Sequence, residues 1–501
     1  MSNEKIIVAT SIAPRNIENQ KKAIDSWIEA GLDVISFNCL EEYEAISNHF
    51  PNIQFNIVQR DGRNRFGKPY IFLDDIMEYF KDCDYDVCGI INSDIHLLGV
   101  DGGFGKYIYD EAKNSFVYGN RVEIKSLDNL NGMFYVGHDY FFFDKQISYI
   151  YPREDFWIGQ PAWDYWIVFM PIISGFKVKK IINAIAYHII HTIQWDNNLN
   201  IELHKMIVDK YFDKADKIMK YKSASSLERF YELILNYYQP VVYTKRFTRN
   251  YSVLIVCSSD SICEDNKSDK YSCILNQTYK NIRICYGNND SINLNEVKED
   301  LIFFMGEDTV LDNWFFEIMV NHIENKDMCI CNISMESKEF SYVKDISVFD
   351  MDSGEFVTDA LIDECILYNT EFYKKRRPMK SDLKKYNFAL VPNGLVKKEF
   401  ISYLNNKLNG LKDKRVYIYA AGGHTKKLLN RINLNNIYGI FDSNPELDGT
   451  MLQGIPVYSK GKINQFEFDY IVISSMSYEE EIYNELKYII DKRKLIRIYN
   501  Y

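Results

Sequence analysis

A short polar segment, Asn92-Ser93-Asp94, directly follows the apolar run Val87–Ile91. Such a run predicts a buried strand, and the segment after it then lies at the carboxyl edge of a sheet, where open α/β folds bind ligands. Carboxylate and amide oxygens in that position are hard ligands that suit Mg²⁺ or Mn²⁺ carrying a diphosphate. The same three residue types also favour turns, so an ordinary strand-end turn is the alternative.

Three later segments place further polar side chains at the ends of predicted elements. Asp139 lies in an aromatic, apolar strand, and Asp164 lies among aromatic residues at the start of an apolar helix. His188 and His191 end a hydrophobic strand. Each has a structural alternative, namely Asp139 as a turn carboxylate, Asp164 as a helix N-cap and His188 as a core histidine. Because all of them fall at element ends of one βαβ region, together they favour a nucleotide-sugar site.

Alternating strands and helices are predicted to position these residues. Strands are predicted at 6–10, 33–38 and 55–58, and helices at 17–30, 41–49 and 71–80. Repeated β-α-β alternation predicts a mainly parallel sheet with right-handed crossovers. The fold class predicted for the chain is therefore α/β.

A basic loop that contains glycine, residues 60–69, precedes the helix predicted at 71–80. Four cationic side chains beside helix N-terminal amides predict a diphosphate site, with a solvated surface loop as the alternative. Two residues of the loop after the first strand complete the predicted nucleotide-sugar site. The residues assigned to donor binding are Thr10, Arg15, Arg63, Lys68, Asn92, Ser93 and Asp139.

Length and composition restrict the class of protein. A chain of 501 residues is too long for one core and suggests about three domains. The net charge of −11 provides no global basic field for a polyanion, so nucleic acid is not expected as a partner. Ten cysteines without metal-type spacing indicate a reducing compartment. The chain leads directly into its first strand, and we expect no signal peptide, no transmembrane segment and a cytoplasmic location.

Residues 1 to about 200 resemble a GT-A glycosyltransferase domain, with Asn92-Ser93-Asp94 in the place of that superfamily's Asp-any-Asp motif. The resemblance implies that Asp94 binds a divalent cation, Mn²⁺ or Mg²⁺, which bridges the diphosphate of the donor. It also implies that Asp164 is the base that deprotonates the acceptor, as in inverting members. A late metal-binding histidine is implied at His188 or His191. Asn92 departs from the usual first acid of the motif.

A helical connector is predicted at 201–248, followed by a second domain at 249–408. Residues 274–284 resemble the helix-to-strand segment of bacterial family-two glycosyltransferases, and residues 301–308 occupy that family's metal-motif position. The unit is short, and Asn288-Asn289-Asp290 replaces the usual acidic turn. The resemblance therefore implies a degenerate second GT-A-like domain.

A third domain is predicted at 409–501. The strand at 414–419, the turn Ala421-Gly422-Gly423-His424-Thr425 and the strand at 437–441 form a small Rossmann-like unit. It resembles the nucleotide-binding-like domain appended to some bacterial polysaccharide-biosynthesis proteins. The turn lacks the full dinucleotide-binding glycine spacing, so we expect a scaffold or assembly role and leave ligand binding open.

These features predict a metal-dependent glycosyltransferase that moves a sugar from a nucleotide-sugar donor to a hydroxyl group, with inversion. A surface glycan precursor and a protein are both retained as acceptors. One alternative is a sugar-phosphate nucleotidyltransferase, although the loop after the first strand lacks the glycine usual in that class. The other is a non-catalytic assembly protein of a glycan pathway. The donor sugar and the oligomeric state, a homo-oligomer included, stay open.

Overall fold

A computed structural model describes residues 4–191, 197–215, 226–245, 250–257, 269–287, 292–306, 309–337, 342–346, 348–350, 355–356, 363–475 and 478–499. Two compact units divide the chain. Unit 1 holds residues up to 250 with 390–392, and unit 2 holds residues 251–389 and 393–501. Both units combine helices with sheets, so the predicted multidomain α/β class is confirmed. The three predicted domains, with boundaries near 200, 248 and 408, stay a prediction.

Unit 1 is built on one ten-stranded sheet. Its strands are β1 (Ile6–Thr10), β2 (Asp33–Asn38), β3 (Gln54–Ile57), β4 (Val87–Ile91), β5 (Ile95–Leu97), β6 (Ser115–Ile124), β7 (Met133–Asp144), β8 (Lys177–Ile181), β9 (Ala186–Ile189) and β10 (Gln239–Val241). Its helices are α1 (Ile17–Glu29), α2 (Leu40–Ile46), α3 (Arg63–Phe66), α4 (Leu73–Asp82), α5 (Phe104–Ala112), α6 (Trp163–Ile173), α7 (Asn197–Ala215) and α8 (Ser226–Asn236).

The main path of this sheet runs β10-β8-β6-β7-β4-β1-β2-β3, and β9 pairs with both β5 and β6. Pairing is parallel between β1 and β2, β1 and β4, β2 and β3, β6 and β8, β6 and β9, and β8 and β10. Strand β7 runs antiparallel between β4 and β6, and β5 runs antiparallel to β9. The sheet is mainly parallel, as predicted.

Two local predictions differ from the structure. The helix expected at 71–80 begins at Leu73, and the basic loop before it contains the single turn α3. Gly67 ends that turn in the left-handed region, with φ +67°, which glycine adopts without steric cost. The predicted connector at 201–248 contains α7 and α8, but it also contributes β10 to the main sheet.

Helices cover both faces of the sheet, so alternate residues of one strand enter different cores. In β1, Ile7 and Ala9 belong to a core that includes Trp166 of α6, whereas Ile6 and Val8 belong to the core of α1 and α5. Such double burial explains the unbroken apolar runs of β1 and β4. Strand β4 therefore carries the segment that follows it to a fixed place on the sheet edge.

Unit 2 contains an eight-stranded, a two-stranded and a six-stranded sheet. Its strands are β11 (Val253–Cys257), β12 (Ile282–Tyr286), β13 (Leu301–Met305), β14 (Val310–Leu311), β15 (Met328–Ser337), β16 (Tyr342–Ile346), β17 (Phe349–Asp350), β18 (Glu355–Phe356), β19 (Ile366–Asn369), β20 (Phe388–Glu399), β21 (Val416–Tyr419), β22 (Ile437–Asp442), β23 (Met451–Leu452), β24 (Ile455–Ser459), β25 (Tyr470–Ile473) and β26 (Leu495–Arg497). Its helices are α9 (Asp269–Leu275), α10 (Phe315–His322), α11 (Thr370–Arg376), α12 (Phe400–Leu408), α13 (Gly423–Leu428) and α14 (Glu479–Leu486).

The two larger sheets of unit 2 each have a parallel part. The eight-stranded sheet runs β12-β11-β13-β19-β15-β20-β14, with β16 beside β15 and parallel pairing between β11 and its two neighbours. The six-stranded sheet runs β23-β24-β22-β21-β25-β26 and is parallel except at β23. Asp308 and Asn288-Asn289-Asp290 lie outside the described residues, so the degenerate character of this region stays a prediction.

In unit 2, His322 is the last residue of α10, and Cys329 and Cys331 are buried. Among the described residues, no helix has the length and apolarity needed to cross a membrane.

Gly89, in the middle of β4, tests the packing that fixes this strand. A Cβ atom at Gly89 would lie 2.8 Å from the carbonyl oxygen of Phe141 and 2.8 Å from a ring carbon of Phe142. We expect Gly89→Ala to lower the free energy of unfolding by about 1–3 kcal/mol, because well-packed cores resist added methyl groups. Urea unfolding measures the change. The matched control is Gly102→Ala, where nothing lies within 4 Å of the added atom. Equal midpoints for the two variants would contradict the packing described.

Candidate metal and donor site

Three side chains that could bind a metal meet at one edge of the main sheet. Nε2 of His188 and Nε2 of His191 lie 3.4 and 3.5 Å from Oδ2 of Asp94. Their ligand atoms all lie within 4.8 Å of one another. Side-chain exposure rises from 7% at His188 through 34% at Asp94 to 56% at His191, so the cluster is anchored on one side and open on the other. A ligand can reach it from solvent.

Strand pairing explains why these distant residues meet. Strand β5 starts at Ile95, and its antiparallel register sets Ile95 opposite His188 of β9. Helix α1 holds β5 in place, since the indole nitrogen of Trp27 donates to the Ile95 carbonyl at 2.7 Å. Ser26 of the same helix accepts from the backbone N–H of Leu97 at 3.0 Å. Asp94 is therefore placed next to His188 by backbone geometry.

The neighbourhood of His188, between the carboxylates of Asp94 and Glu123, favours positive charge. Burial tends to raise the pKa of Asp94, but the hydrogen bonds from His188 and His191 outweigh it and hold that pKa well below its usual range. Burial likewise tends to lower the pKa of His188, but its contacts with Asp94 and Glu123 raise it to about 9. The electrostatic preference at this position is for a cation.

The donor atoms of the cluster fit a divalent transition metal. Two imidazole nitrogens with one carboxylate suit Mn²⁺, Fe²⁺ or Zn²⁺ better than Mg²⁺, which prefers oxygen ligands. Of the two predicted cations, the donor set thus favours Mn²⁺. The sequence left the choice between His188 and His191 open, and the structure brings both to Asp94.

A chain of charged side chains leads from His188 to the neighbouring strands. Its second nitrogen, Nδ1, lies 3.3 Å from Oε1 of Glu123. Arg121 contacts Glu123 at 2.8 Å and Asp139 at 2.5 Å. The amide of Asn92 donates to the other oxygen of Asp139 at 2.6 Å. Both oxygens of the Asp139 carboxylate are therefore engaged by protein groups.

Asp164 lies in the first turn of α6, next to this chain. The N-cap of the helix is Ala162, so the alternative that Asp164 caps the helix is wrong. The backbone N–H of His138 donates to Asp164 Oδ2 at 3.3 Å. Burial and the charge of Asp139 raise the pKa of Asp164 to about 7. A carboxylate with such a pKa can take up a proton near neutral pH.

The backbone before α6 is strained where it directs Asp164. Ala162 has φ +71° although it is not glycine, and Gly159 has φ +80°. Left-handed backbone at a non-glycine residue costs about 1–2 kcal/mol, and such residues cluster at functional sites. The strain is consistent with a site in which the direction of one side chain matters.

The loop after β1 is tied to the same edge. Gln20 of α1 binds the loop through the backbone of Ala13 and Arg15, and its Oε1 accepts from the hydroxyl of Ser93 at 2.8 Å. The predicted donor-binding residue Thr10 ends β1, fully buried, and its hydroxyl has no hydrogen-bond partner within the described part of the chain. Arg15 is exposed at the loop surface.

The basic loop does not present a free group of four cations. Arg63 pairs with Asp61 at 2.9 Å and with Glu41 at 3.1 Å, and Arg60 and Arg65 also form ion pairs with acidic residues. Lys68 is exposed. Acidic residues both near and distant in sequence therefore pair with these arginines. Donor binding by Arg63 and Lys68 stays a prediction.

Sequence reasoning missed Arg121 and Glu123. Both lie on β6, where they alternate with the buried Val122 and Ile124. Charged residues with a period of two on an otherwise buried strand indicate a polar site on one face. That pattern was the available signal.

Comparisons with known proteins give a local family match and partial structural matches. A family model described as C2185-like, N-terminal, matches residues 412–496, which cover the six-stranded sheet of unit 2. No curated protein matches the sequence. Among solved structures, S. aureus TarS 1-349 in complex with UDP-GlcNAc is 8% identical, with a TM-score of 0.31, over 46% of this chain and 72% of that one. S. aureus TarS 1-349 alone is 9% identical, with a TM-score of 0.22, over 36% and 71%. Overlap of this extent decides neither the fold nor the activity.

Replacing Asp94 tests the cluster directly. We expect Asp94→Asn to weaken Mn²⁺ binding by about 100-fold or more, because loss of one charged partner of a buried group costs several kcal/mol. Isothermal titration calorimetry of the full chain with MnCl₂ measures the change. Asp25→Asn is the control, since Asp25 is an exposed residue of α1. Unchanged affinity in Asp94→Asn would show that the cation binds elsewhere.

Proposed function

We propose that this protein transfers a sugar from a nucleotide-sugar donor to a hydroxyl group of an acceptor, with a divalent cation at Asp94, His188 and His191. The observation that carries the proposal is the position of this cluster. It lies at the carboxyl edge of a mainly parallel sheet, and Asn92, two residues before Asp94, donates to Asp139. Burial and the charge of Asp139 raise the pKa of Asp164 to about 7. Cation ligands and a base with a pKa near neutrality are the parts that transfer from an activated sugar phosphate needs.

In this proposal, different residues bind the cation and the nucleotide. Bound at the cluster, Mn²⁺ would offset negative charge on the diphosphate leaving group. Asp94 and the buried His188 would hold the cation, and the exposed His191 would complete the set on the solvent side. The loop after β1, tied to Ser93 by Gln20, borders the same edge and is the proposed place of the nucleotide.

Asp164 is the proposed general base. Because its pKa is about 7, a useful fraction of the carboxylate is ionised at neutral pH and can still accept a proton with adequate driving force. A base that activates the acceptor hydroxyl for direct attack on the anomeric carbon gives inversion. In this proposal a surface glycan precursor and a protein both remain candidate acceptors, and water serves as the acceptor in a hydrolysis assay.

A donor panel tests the activity. We expect one nucleotide sugar, from a panel that includes UDP-GlcNAc, to be hydrolysed with Mn²⁺ and not with EDTA. Asp94→Asn should abolish this hydrolysis, and Asp25→Asn should leave it unchanged. Release of nucleoside diphosphate is the measurement. Turnover of a sugar phosphate with a nucleoside triphosphate, but of no donor on the panel, would instead identify a nucleotidyltransferase. No binding to any donor would support an assembly protein.

The pH dependence tests the base. Asp164 is active when deprotonated, so kcat/KM is expected to fall about tenfold per pH unit below about 7 and to level off above it. Asp164→Asn should lower turnover about 100- to 10,000-fold and remove that limb of the profile, because the amide cannot accept the proton. Donor affinity, measured by calorimetry, should change little. A parallel loss of donor affinity and turnover would contradict the assignment as base.

The donor set also supports a second candidate. Two histidines and one carboxylate are the ligands of many iron(II) oxygenases, and nothing in the ligand atoms alone separates Fe²⁺ from Mn²⁺. Oxygen consumption by the Fe²⁺-loaded protein, without donor hydrolysis by the Mn²⁺-loaded protein, would favour that class. The raised pKa of Asp164, which lies in the first turn of α6 and is bonded by the N–H of His138, makes sugar transfer the first candidate.

A further inference from the structure

The second nitrogen of His188 is held by a carboxylate that the proposed sugar transfer does not use. Oε1 of Glu123 lies 3.3 Å from Nδ1 of His188, and Nε2 on the opposite side of the ring faces Asp94 at 3.4 Å. Strand pairing enforces this contact, because the parallel register of β6 and β9 sets Glu123 opposite His188. A carboxylate at Nδ1 keeps the proton on that nitrogen and leaves Nε2 as the metal ligand.

Arg121 fixes Glu123 in turn. Its guanidinium contacts Glu123 at 2.8 Å and Asp139 at 2.5 Å, and its carbon Cζ lies 4.1 Å from the ring centre of Tyr135. Only 15% of the Arg121 side chain is exposed, so two carboxylates and an aromatic face restrict its rotation. Glu123 therefore has little freedom to leave His188.

An irregularity in β6 allows one arginine to serve both carboxylates. The register between β6 and β7 shifts between Gly119 and Asn120 and again between Asn120 and Val122, so Arg121 lies within the shifted segment. Such bulges redirect side chains and are frequent beside active sites. The amide of Asn120 bonds to the carbonyl of Tyr135 at 2.8 Å, which holds the irregular strand in place.

We propose that Glu123 is a positioning residue that orients His188 toward the cation, and that Arg121 holds Glu123 in that position. The inference rests on the proposed function for its metal, but not on sugar transfer itself. Arg121 also binds Asp139, which accepts from Asn92, so the pair Arg121 and Glu123 links His188 to the end of β4.

Metal binding without any donor tests the proposal. Isothermal titration calorimetry with MnCl₂ is expected to show Glu123→Ala binding about 10- to 100-fold more weakly than the wild type, the usual effect of losing such a partner. Glu123→Gln should recover much of that affinity, because its amide oxygen can still accept from Nδ1. The Mn²⁺ affinity of Arg121→Lys should lie between those of Glu123→Ala and Glu123→Gln. One ammonium group cannot reproduce the guanidinium group, which binds both carboxylates. With Co²⁺ as a probe, the visible absorption bands of Glu123→Ala should shift, which reports a changed ligand geometry.

Glu111→Ala is the matched control. Glu111 is a partly buried carboxylate of the same unit. Its Oε2 lies 2.8 Å from Nζ of Lys179, and this pair is not part of the cluster. Its loss should change the thermal midpoint to an extent similar to Glu123→Ala but leave Mn²⁺ affinity and the Co²⁺ spectrum unchanged.

The outcomes separate this inference from the proposed function. If Asp94→Asn loses Mn²⁺ while Glu123→Ala keeps the wild-type affinity and spectrum, the positioning role is overturned and the metal site stands. If Glu111→Ala weakens Mn²⁺ binding as much as Glu123→Ala, the effect is general destabilisation and the role is again overturned. If the wild-type protein binds no Mn²⁺, the metal site and the inference both fail.

Discussion

Four carboxylates, those of Asp94, Glu123, Asp139 and Asp164, gather at one edge of the main sheet, and their mutual repulsion is the constraint that the site must satisfy. Cationic groups stand between them. His188 lies between Asp94 and Glu123, and Arg121 lies between Glu123 and Asp139. Among the described residues no cation pairs with Asp164, and burial together with the charge of Asp139 raises its pKa to about 7. Charge pairing therefore provides a place for a cation, and burial near Asp139 provides a base that works near neutral pH.

Strand pairing, rather than attraction between charges, places these side chains next to one another. Each member of the set is fixed by a strand register, such as Ile95 opposite His188 and Glu123 opposite His188. The N–H of Asn92 bonds to the carbonyl of Asp139, which joins the end of β4 to β7. Because β4 is buried on both faces, a shift of one residue would place each of its side chains in the core packed for its neighbour. The cores thus determine where the polar side chains lie.

Residues that follow apolar strands could be predicted from the sequence, and residues defined by long-range pairing could not. Asp94 and His191 follow buried apolar strands, and this position at the end of a strand was enough to predict them as metal ligands. Arg63 pairs with Asp61 two positions away, but its second partner is Glu41, 22 positions away, which no local pattern indicates. The alternation of charged and apolar residues in β6 marks Arg121 and Glu123, but their contacts with Asp139 and His188 required the register of β6 with β7 and β9, including a shift that the sequence does not mark. The mainly parallel sheet followed from β-α-β alternation, whereas the contribution of β10 to it depended on contacts across the unit.

Anomalous diffraction from crystals of the full chain grown with MnCl₂ tests the central claim most directly, because it locates the cation without any assumption about the reaction. The account predicts a peak within about 2 to 2.5 Å of a carboxylate oxygen of Asp94 and of Nε2 of both His188 and His191. A peak elsewhere in the protein with none at these three atoms, or no bound manganese at all, would contradict it.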